Sequence, residues 1–78
     1  HGSHYRTLVA AISARRALRM SYRGALDAAA VSTKIWPYRL LWSRHSWYVI
    51  ARSSLHRGVR TFHVGRIEAL TELPERFK

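Results

Sequence analysis

The run Trp47-Tyr48-Val49-Ile50-Ala51-Arg52 sets two large aromatics ahead of a β-branched stretch and ends on a cation. Such side chains fit a pleated, half-buried surface, so the segment predicts a central strand. Alternation then puts Trp47, Val49 and Ala51 on one side and Tyr48, Ile50 and Arg52 on the other. Both sides carry apolar bulk, as expected inside a small closed sheet. The preceding Ser43-Arg44-His45-Ser46 has turn chemistry and no apolar alternation.

The other segments arrange themselves around this strand. Tyr5, Leu8, Val9 and Ile12 recur at helical spacing, which predicts an amphipathic helix over Tyr5 to Arg16, with Ser3 as N-cap and Arg15 and Arg16 in the last turn. The period changes at Ala17: Leu18, Met20 and Tyr22 alternate against Arg19, Ser21 and Arg23, giving a first strand. Gly24 to Ser32 is Ala-rich and reads as a mobile loop. From Thr33 to Trp42, strict alternation places Trp36, Tyr38, Leu40 and Trp42 on one face and Ile35, Pro37, Arg39 and Leu41 on the other. Pro37 cannot donate to a ladder, so it belongs at an edge or a bulge. Val59 to Val64 alternates again, Gly65 permits a bulge or sharp bend, and Arg66 to Thr71 supplies a fifth strand. One helix followed by five closely spaced strands predicts a small barrel, whose closure removes exposed edges.

Seventy-eight residues allow one domain, burying only about 60 to 65% of its unfolded surface. Without cysteine there is no disulfide, thiolate metal site or Cys nucleophile. No apolar run reaches the roughly 18 to 20 residues that span a bilayer, and the amino end lacks the order of a signal peptide, so a cytoplasmic, soluble protein with no membrane partner is expected. His1 to His4 resemble a purification-tag remnant, leaving a single domain over residues 5–78 excised from a longer protein. Fourteen Lys and Arg against four Asp and Glu give a net charge of +10, and twelve of those cations are Arg. A polyanion is the partner such a field attracts, and Arg suits planar, bidentate contact with phosphate. The alternative source of the imbalance is an acidic neighbour in the parent chain.

Three blocks in order, Trp36-Pro37-Tyr38-Arg39-Leu40, Trp47-Tyr48-Val49 and Arg60-Thr61-Phe62-His63-Val64-Gly65-Arg66-Ile67, resemble those of the WYL domain family. The likeness runs from about Leu8 to Phe77. Val49 stands where the name-giving Leu sits, Lys34 where an Arg is common and Gly65 where an Asp often precedes Arg-Ile. The resemblance implies a mainly β domain with one N-terminal helix packed on a five-stranded, Sm-like or SH3-type barrel. It further implies a sensor module behind a helix-turn-helix DNA-binding domain in a bacterial transcription regulator. The ligand implied is single-stranded DNA or RNA, or a nucleotide.

Carried over from the family, the ligand-contacting positions fall at Ser21 or Tyr22, Tyr38, Arg60 and Arg66. Arg60 and Arg66 would fork onto phosphate, while Tyr38 and Tyr22 would offer a hydroxyl and a ring for stacking. If Gly65 is a tight bend between adjacent strands, the two Arg can converge near Tyr38. Structural roles compete with these assignments: core tyrosines, an ion pair of Arg66 with Glu68 or Glu72, and packing for Trp47 and Tyr48. No catalytic group or cofactor is expected, because His45, His56 and His63 lack metal-ligand spacing with an acid and the glycines are scattered. The second functional class open to the chain is a protein-interaction or homodimer-forming barrel, using Trp36, Tyr38 and Trp42 as its apolar surface.

Overall fold

The computed structural model describes residues 2–77. Helix α1 (Gly2–Ala14) is followed by strands β1 (Arg16–Tyr22), β2 (Val31–Ser43), β3 (Ser46–Ser53) and β4 (Gly58–His63), a 3-10 turn (Val64–Arg66) and β5 (Ile67–Arg76). The five strands form one antiparallel sheet in the order β4-β3-β2-β1-β5. The helix and the strand sequence therefore follow the predicted mainly β architecture. None of the described helices is long and apolar enough to cross a membrane.

The helix starts three residues and ends two residues earlier than its apolar periodicity suggests. Ser3 is inside it, its carbonyl accepting a hydrogen bond from the Thr7 hydroxyl at 2.9 Å, so it is not the N-cap. Arg15 and Arg16 are outside it. Arg15 adopts φ 55°, a left-handed conformation that cannot propagate a right-handed helix, and Arg16 already belongs to β1. The exposed carbonyl of Arg15 accepts the Phe77 amide at 2.7 Å, tying the end of β5 to the helix–strand junction.

Leu8 and Ala11 from the helix pack on Leu18, Met20, Ile35, Val49, Ala51, Phe62, Val64 and Ile67 to form the core. Val49 and Ala51 face inward and Arg52 outward, as the alternation of the central strand predicts. In β2 the strict alternation fails. Pro37 pairs with Ala51, but Arg39 pairs with Ile50, so Tyr38 is an extra residue with no partner of its own on β3. This bulge inverts the phase: Ile35 and Pro37 point inward before it, and Leu40 packs against the core after it. Trp36 and Trp42, expected on one face, consequently lie on opposite faces. Pro37 sits where a missing N–H does least harm, beyond the last β1 partner of β2, Leu18 opposite Ile35.

The expected bend between β4 and β5 also takes another form. Rather than a hairpin, the 3-10 turn carries the chain from one end of the sheet to the other, and among the described residues no ladder joins these two strands. Side chains close the barrel instead. The Tyr22 hydroxyl accepts the His63 amide at 3.0 Å, satisfying a backbone donor on edge strand β4, and the Tyr22 ring meets Phe62 edge-on at 5.1 Å. His63 caps the turn through Nδ1, which accepts the Gly65 amide at 2.9 Å. The imidazole lies so close that a Cβ on Gly65 would be 2.8 Å from its Cε1.

The β2–β3 hairpin turns through Arg44 and His45 at φ 51° and 63°, the two left-handed central positions of a type I′ turn. Neither residue relieves that conformation as Gly or Asn would, so the turn stores about 1 kcal/mol or more of strain. Replacing the pair by Arg44→Asn with His45→Gly is expected to stabilise the domain by about 1 kcal/mol in urea unfolding. Tyr22→Phe is expected to destabilise it by about 1 kcal/mol, because it leaves the His63 amide unpaired while keeping the ring contacts.

Candidate functional site

The β2 bulge and the tight hairpin together decide where an aromatic-walled cleft forms. Once the phase of β2 has slipped, Trp42 lies directly opposite Trp47 across the hairpin, with ring centroids 5.2 Å apart and planes inclined by 62°. Helix α1 brings Tyr5 to the other side of Trp47, at 5.0 Å and 51°. These three rings wall a cleft of about 560 Å³ between the start of α1, the β2–β3 hairpin and the 3-10 turn. Its remaining lining includes Arg6, His45, His63 and Gly65, and His4 from the stretch read as a tag remnant.

The lining contains no carboxylate among the described residues. Trp42 is 55% exposed, so one large ring presents a free surface in a site already lined by Trp47. Because Nδ1 of His63 accepts a backbone amide, the neutral ring carries its proton on Nε2 and offers a donor there. Ring faces plus cationic and N–H donors suit a planar, negatively charged molecule. A cation would meet the repulsion of Arg6 instead.

The electrostatics of the wider chain point the same way. From Ala28 to Ile67 there is no Asp or Glu, whereas this stretch carries seven Lys and Arg. The ion pairs among the described residues are Arg23–Glu68 at 2.8 Å and Lys34–Glu75 at 2.7 Å. The hydrogen bond from Lys34 holds the Glu75 carboxyl below the usual carboxylate range. Glu68 therefore engages Arg23, not Arg66.

A smaller recess of about 230 Å³ lies under the β1–β2 loop, lined by Tyr22, Asp27, Thr33, Leu55, His56 and Phe62, with Val31. Ser53 Oγ is 2.8 Å from His56 Nδ1, the contact of a nucleophile and its base. However, Ser53 is completely buried and its hydroxyl also meets Thr33 Oγ1 at 2.9 Å, so the pair knits β2 to the β3–β4 turn and does not present the serine to a substrate. Asp27 is held in its own turn, with Oδ2 accepting the Gly24 amide at 3.0 Å. Among the described residues, no group of three or more His, Asp or Glu is placed to hold a metal.

The five residues named from the sequence are spread over the barrel. Ser21 lies in β1 between Ser32 and Ala69, and its neighbour Tyr22 turns to the opposite face, where its ring packs against the core. Tyr38 occupies the bulge, 41% exposed, with its ring edge toward Phe77 at 5.8 Å. Arg60 stands on edge strand β4 opposite Ala51, its guanidinium bonded to the Val59 carbonyl at 3.0 Å. Arg66 is exposed in the 3-10 turn beside Gly65, and its carbonyl accepts the Arg23 amide at 3.2 Å. The register links Arg60 through Ala51 to Pro37, next to Tyr38, but Arg66 precedes Ile67 at the Tyr22 end of β1. The expected convergence of both Arg on Tyr38 does not form, because β4 and β5 are not neighbours.

The sequence reading missed the cleft itself. Its residues are legible in the sequence only singly: Tyr5 on the apolar face of the helix, Trp42 in an apolar interaction surface, Trp47 as packing, and His45 and His63 as histidines without metal-ligand spacing. The available signal was the pair Trp42 and Trp47 flanking a tight turn, which makes them cross-strand neighbours.

Comparison with known proteins agrees with this fold. The WYL domain model matches residues 3–72. A solved structure, proteasome accessory factor B/C (PafBC) of Arthrobacter aurescens, superposes with a TM-score of 0.91 at 25% identity, covering 96% of this chain and 12% of that chain. No curated protein matches the chain. With nearly its whole length matched by the family model and its helix and five strands superposing on PafBC, the chain belongs to the WYL domain family.

Proposed function

We propose that this domain is the sensor of a bacterial transcription regulator, binding single-stranded nucleic acid or a nucleotide in the cleft between α1, the β2–β3 hairpin and the 3-10 turn. The observation that carries the proposal is the composition of that cleft: Tyr5, Trp42 and Trp47 as walls, Arg6, His45 and His63 around them, and no acid among the described lining residues. Family membership and the PafBC likeness support the regulatory role, with a helix-turn-helix domain elsewhere in the parent chain. In the proposed complex a base stacks on the exposed Trp42 ring, and phosphate meets Arg6 of the lining and Arg66, which stands in the chain between the lining residues Gly65 and Ile67. Ser21, Tyr38 and Arg60 become peripheral contacts for a longer ligand, and Tyr22 supports the cleft by holding His63 in place.

The interaction-barrel alternative needs Trp36, Tyr38 and Trp42 on one apolar surface. The bulge divides them, and Trp36 carries the Lys34 ammonium 4.8 Å above its ring, so no observation favours that alternative.

Binding is measured by anisotropy of a labelled single-stranded oligothymidylate, with a duplex of equal length as control. The affinity is expected to fall by about 0.7 log units per log unit of salt for each phosphate neutralised. Trp42→Ala is expected to remove about 1 to 3 kcal/mol of binding, the range for one stacked base. Arg66→Ala should weaken binding by about 1 to 3 kcal/mol with the thermal midpoint nearly unchanged, whereas Arg15→Ala should change neither. Binding that is flat in salt, or intact in both Trp42→Ala and Arg66→Ala, would exclude the cleft as the site.

A further inference from the structure

The order of the sheet gives β4 one laddered neighbour, β3, and leaves its other side as an edge. Two contacts show which backbone groups face that edge. The His63 amide donates to the Tyr22 hydroxyl at 3.0 Å, and the Val59 carbonyl accepts Nη1 of Arg60 at 3.0 Å. In an antiparallel ladder the N–H and C=O of one residue point to the same side, and the side alternates along the strand. Val59, Thr61 and His63 therefore direct their polar groups outward, whereas Arg60 and Phe62 direct theirs to Ala51 and Val49 on β3. Thr61 is the centre of the edge. It is exposed, as are its neighbours Arg60 and Val59, the latter by 50%. Its N–H and C=O stand side by side, the arrangement with which a further antiparallel strand exchanges two hydrogen bonds.

We propose that β4 accepts an added strand, and that this strand is an extended, acidic peptide. The edge is separate from the cleft, whose lining takes His63 from β4 but none of Val59 to Phe62, so the proposal does not rest on the ligand assigned to the cleft. Charge decides the composition of the strand. Arg57 and Arg60 stand just before and within β4, neither makes an ion pair among the described residues, and no Asp or Glu occurs from Ala28 to Ile67. The Arg60 guanidinium now lies on the Val59 carbonyl, in the place an incoming amide would take. A strand paired with Thr61 and Val59 satisfies that carbonyl itself and releases the guanidinium. Alternate residues of the strand then fall on the Arg60 side of the sheet, where a carboxylate meets the cation, and the others lie beside Val59 and Thr61, where β-branched side chains fit. The bond from His63 to Tyr22 ends the ladder at that point, so the added strand is short.

Other occupants match this edge less well. In a second copy, β4 against β4 sets Arg60 near Arg60. The opposite edge strand, β5, carries Pro74, which cannot donate, and its Glu68 and Glu75 are already engaged by Arg23 and Lys34. A sugar–phosphate backbone has no row of alternating N–H and C=O groups to offer Thr61, so the paired donor and acceptor select a polypeptide.

The test uses a fluorescein-labelled synthetic peptide of about eight residues in which glutamate alternates with valine or threonine, with an oligoglutamate of equal charge as control. By anisotropy the alternating peptide should bind about tenfold more tightly than the oligoglutamate, since only it favours the extended backbone that forms the ladder. At a peptide concentration of about ten times the dissociation constant, the Thr61 amide of the parent protein should exchange its hydrogen about tenfold more slowly, whereas the Arg60 and Phe62 amides, already bonded to β3, should change little. Arg60→Ala should weaken peptide binding about three- to tenfold, and Arg19→Ala, which removes the same charge from β1, should keep it. An unchanged Thr61 exchange rate at saturation, or no binding of the peptide, would overturn the added strand. Equal affinity for the oligoglutamate, or equal loss in Arg19→Ala, would reduce the attraction to bulk charge and overturn it as well. An Arg60→Ala protein that associates with itself in sedimentation would make this guanidinium a guard against strand pairing, which also overturns the proposal.

Discussion

A single extra residue in β2 governs how this small barrel presents its side chains. Without the bulge at Tyr38, Leu40 would face solvent and Trp42 would share the outer face with Trp36. With it, Leu40 reaches the core, Trp42 turns toward Trp47, and Arg39 and Leu41 take the outer positions. The phase slip thus makes both the aromatic cleft and the basic outer face. Pro37 helps to fix where the slip occurs, since it can donate no ladder bond and sits just past the end of the β1 pairing.

The second constraint is closure without a fifth pairing. A sheet with β4 and β5 at its ends leaves two edges, and this chain bridges them with the Tyr22 hydroxyl, the 3-10 turn and the His63 cap. His63 consequently takes part in three things at once: its backbone amide donates to the Tyr22 hydroxyl, its Nδ1 orders the turn by accepting the Gly65 amide, and its ring lines the cleft. Gly65 is required by close approach and not by a left-handed backbone, since its φ lies outside the positive region. On the proposed function, a ligand in the cleft touches α1 and the hairpin together. That contact gives occupancy a means of favouring one placement of the helix against the barrel, as any switch in a regulator needs.

The strands were legible in the sequence because each shows an alternating or β-branched run, and the inward set Val49, Ala51 and Phe62 follows directly from period two. The helix was legible, but its ends were not: nothing in Arg15 as a residue type announces a left-handed conformation. Alternation failed in β2 because a bulge leaves the residue types unchanged and only shifts their phase. Pro37 signalled that the ladder is interrupted, though not that the faces exchange. The cleft was hidden for a related reason. Tyr5, Trp47 and Gly65 come from three separate parts of the chain, and their meeting depends on a topology in which β4 is not followed by an adjacent β5. The charge asymmetry was visible throughout, and the structure adds that the acid-free stretch coincides with β2, β3 and β4.

Chemical-shift mapping tests the central claim most directly, because it reads the bound surface without altering a residue. Titration of the isotope-labelled domain with a single-stranded oligothymidylate should move the indole N–H signals of Trp42 and Trp47 first, together with the backbone amides of Tyr5, Arg6, His63 and Gly65. Perturbations confined to the Tyr38 and Arg60 rim, with both indole signals unmoved at saturation, would contradict the account and place the ligand elsewhere on the barrel.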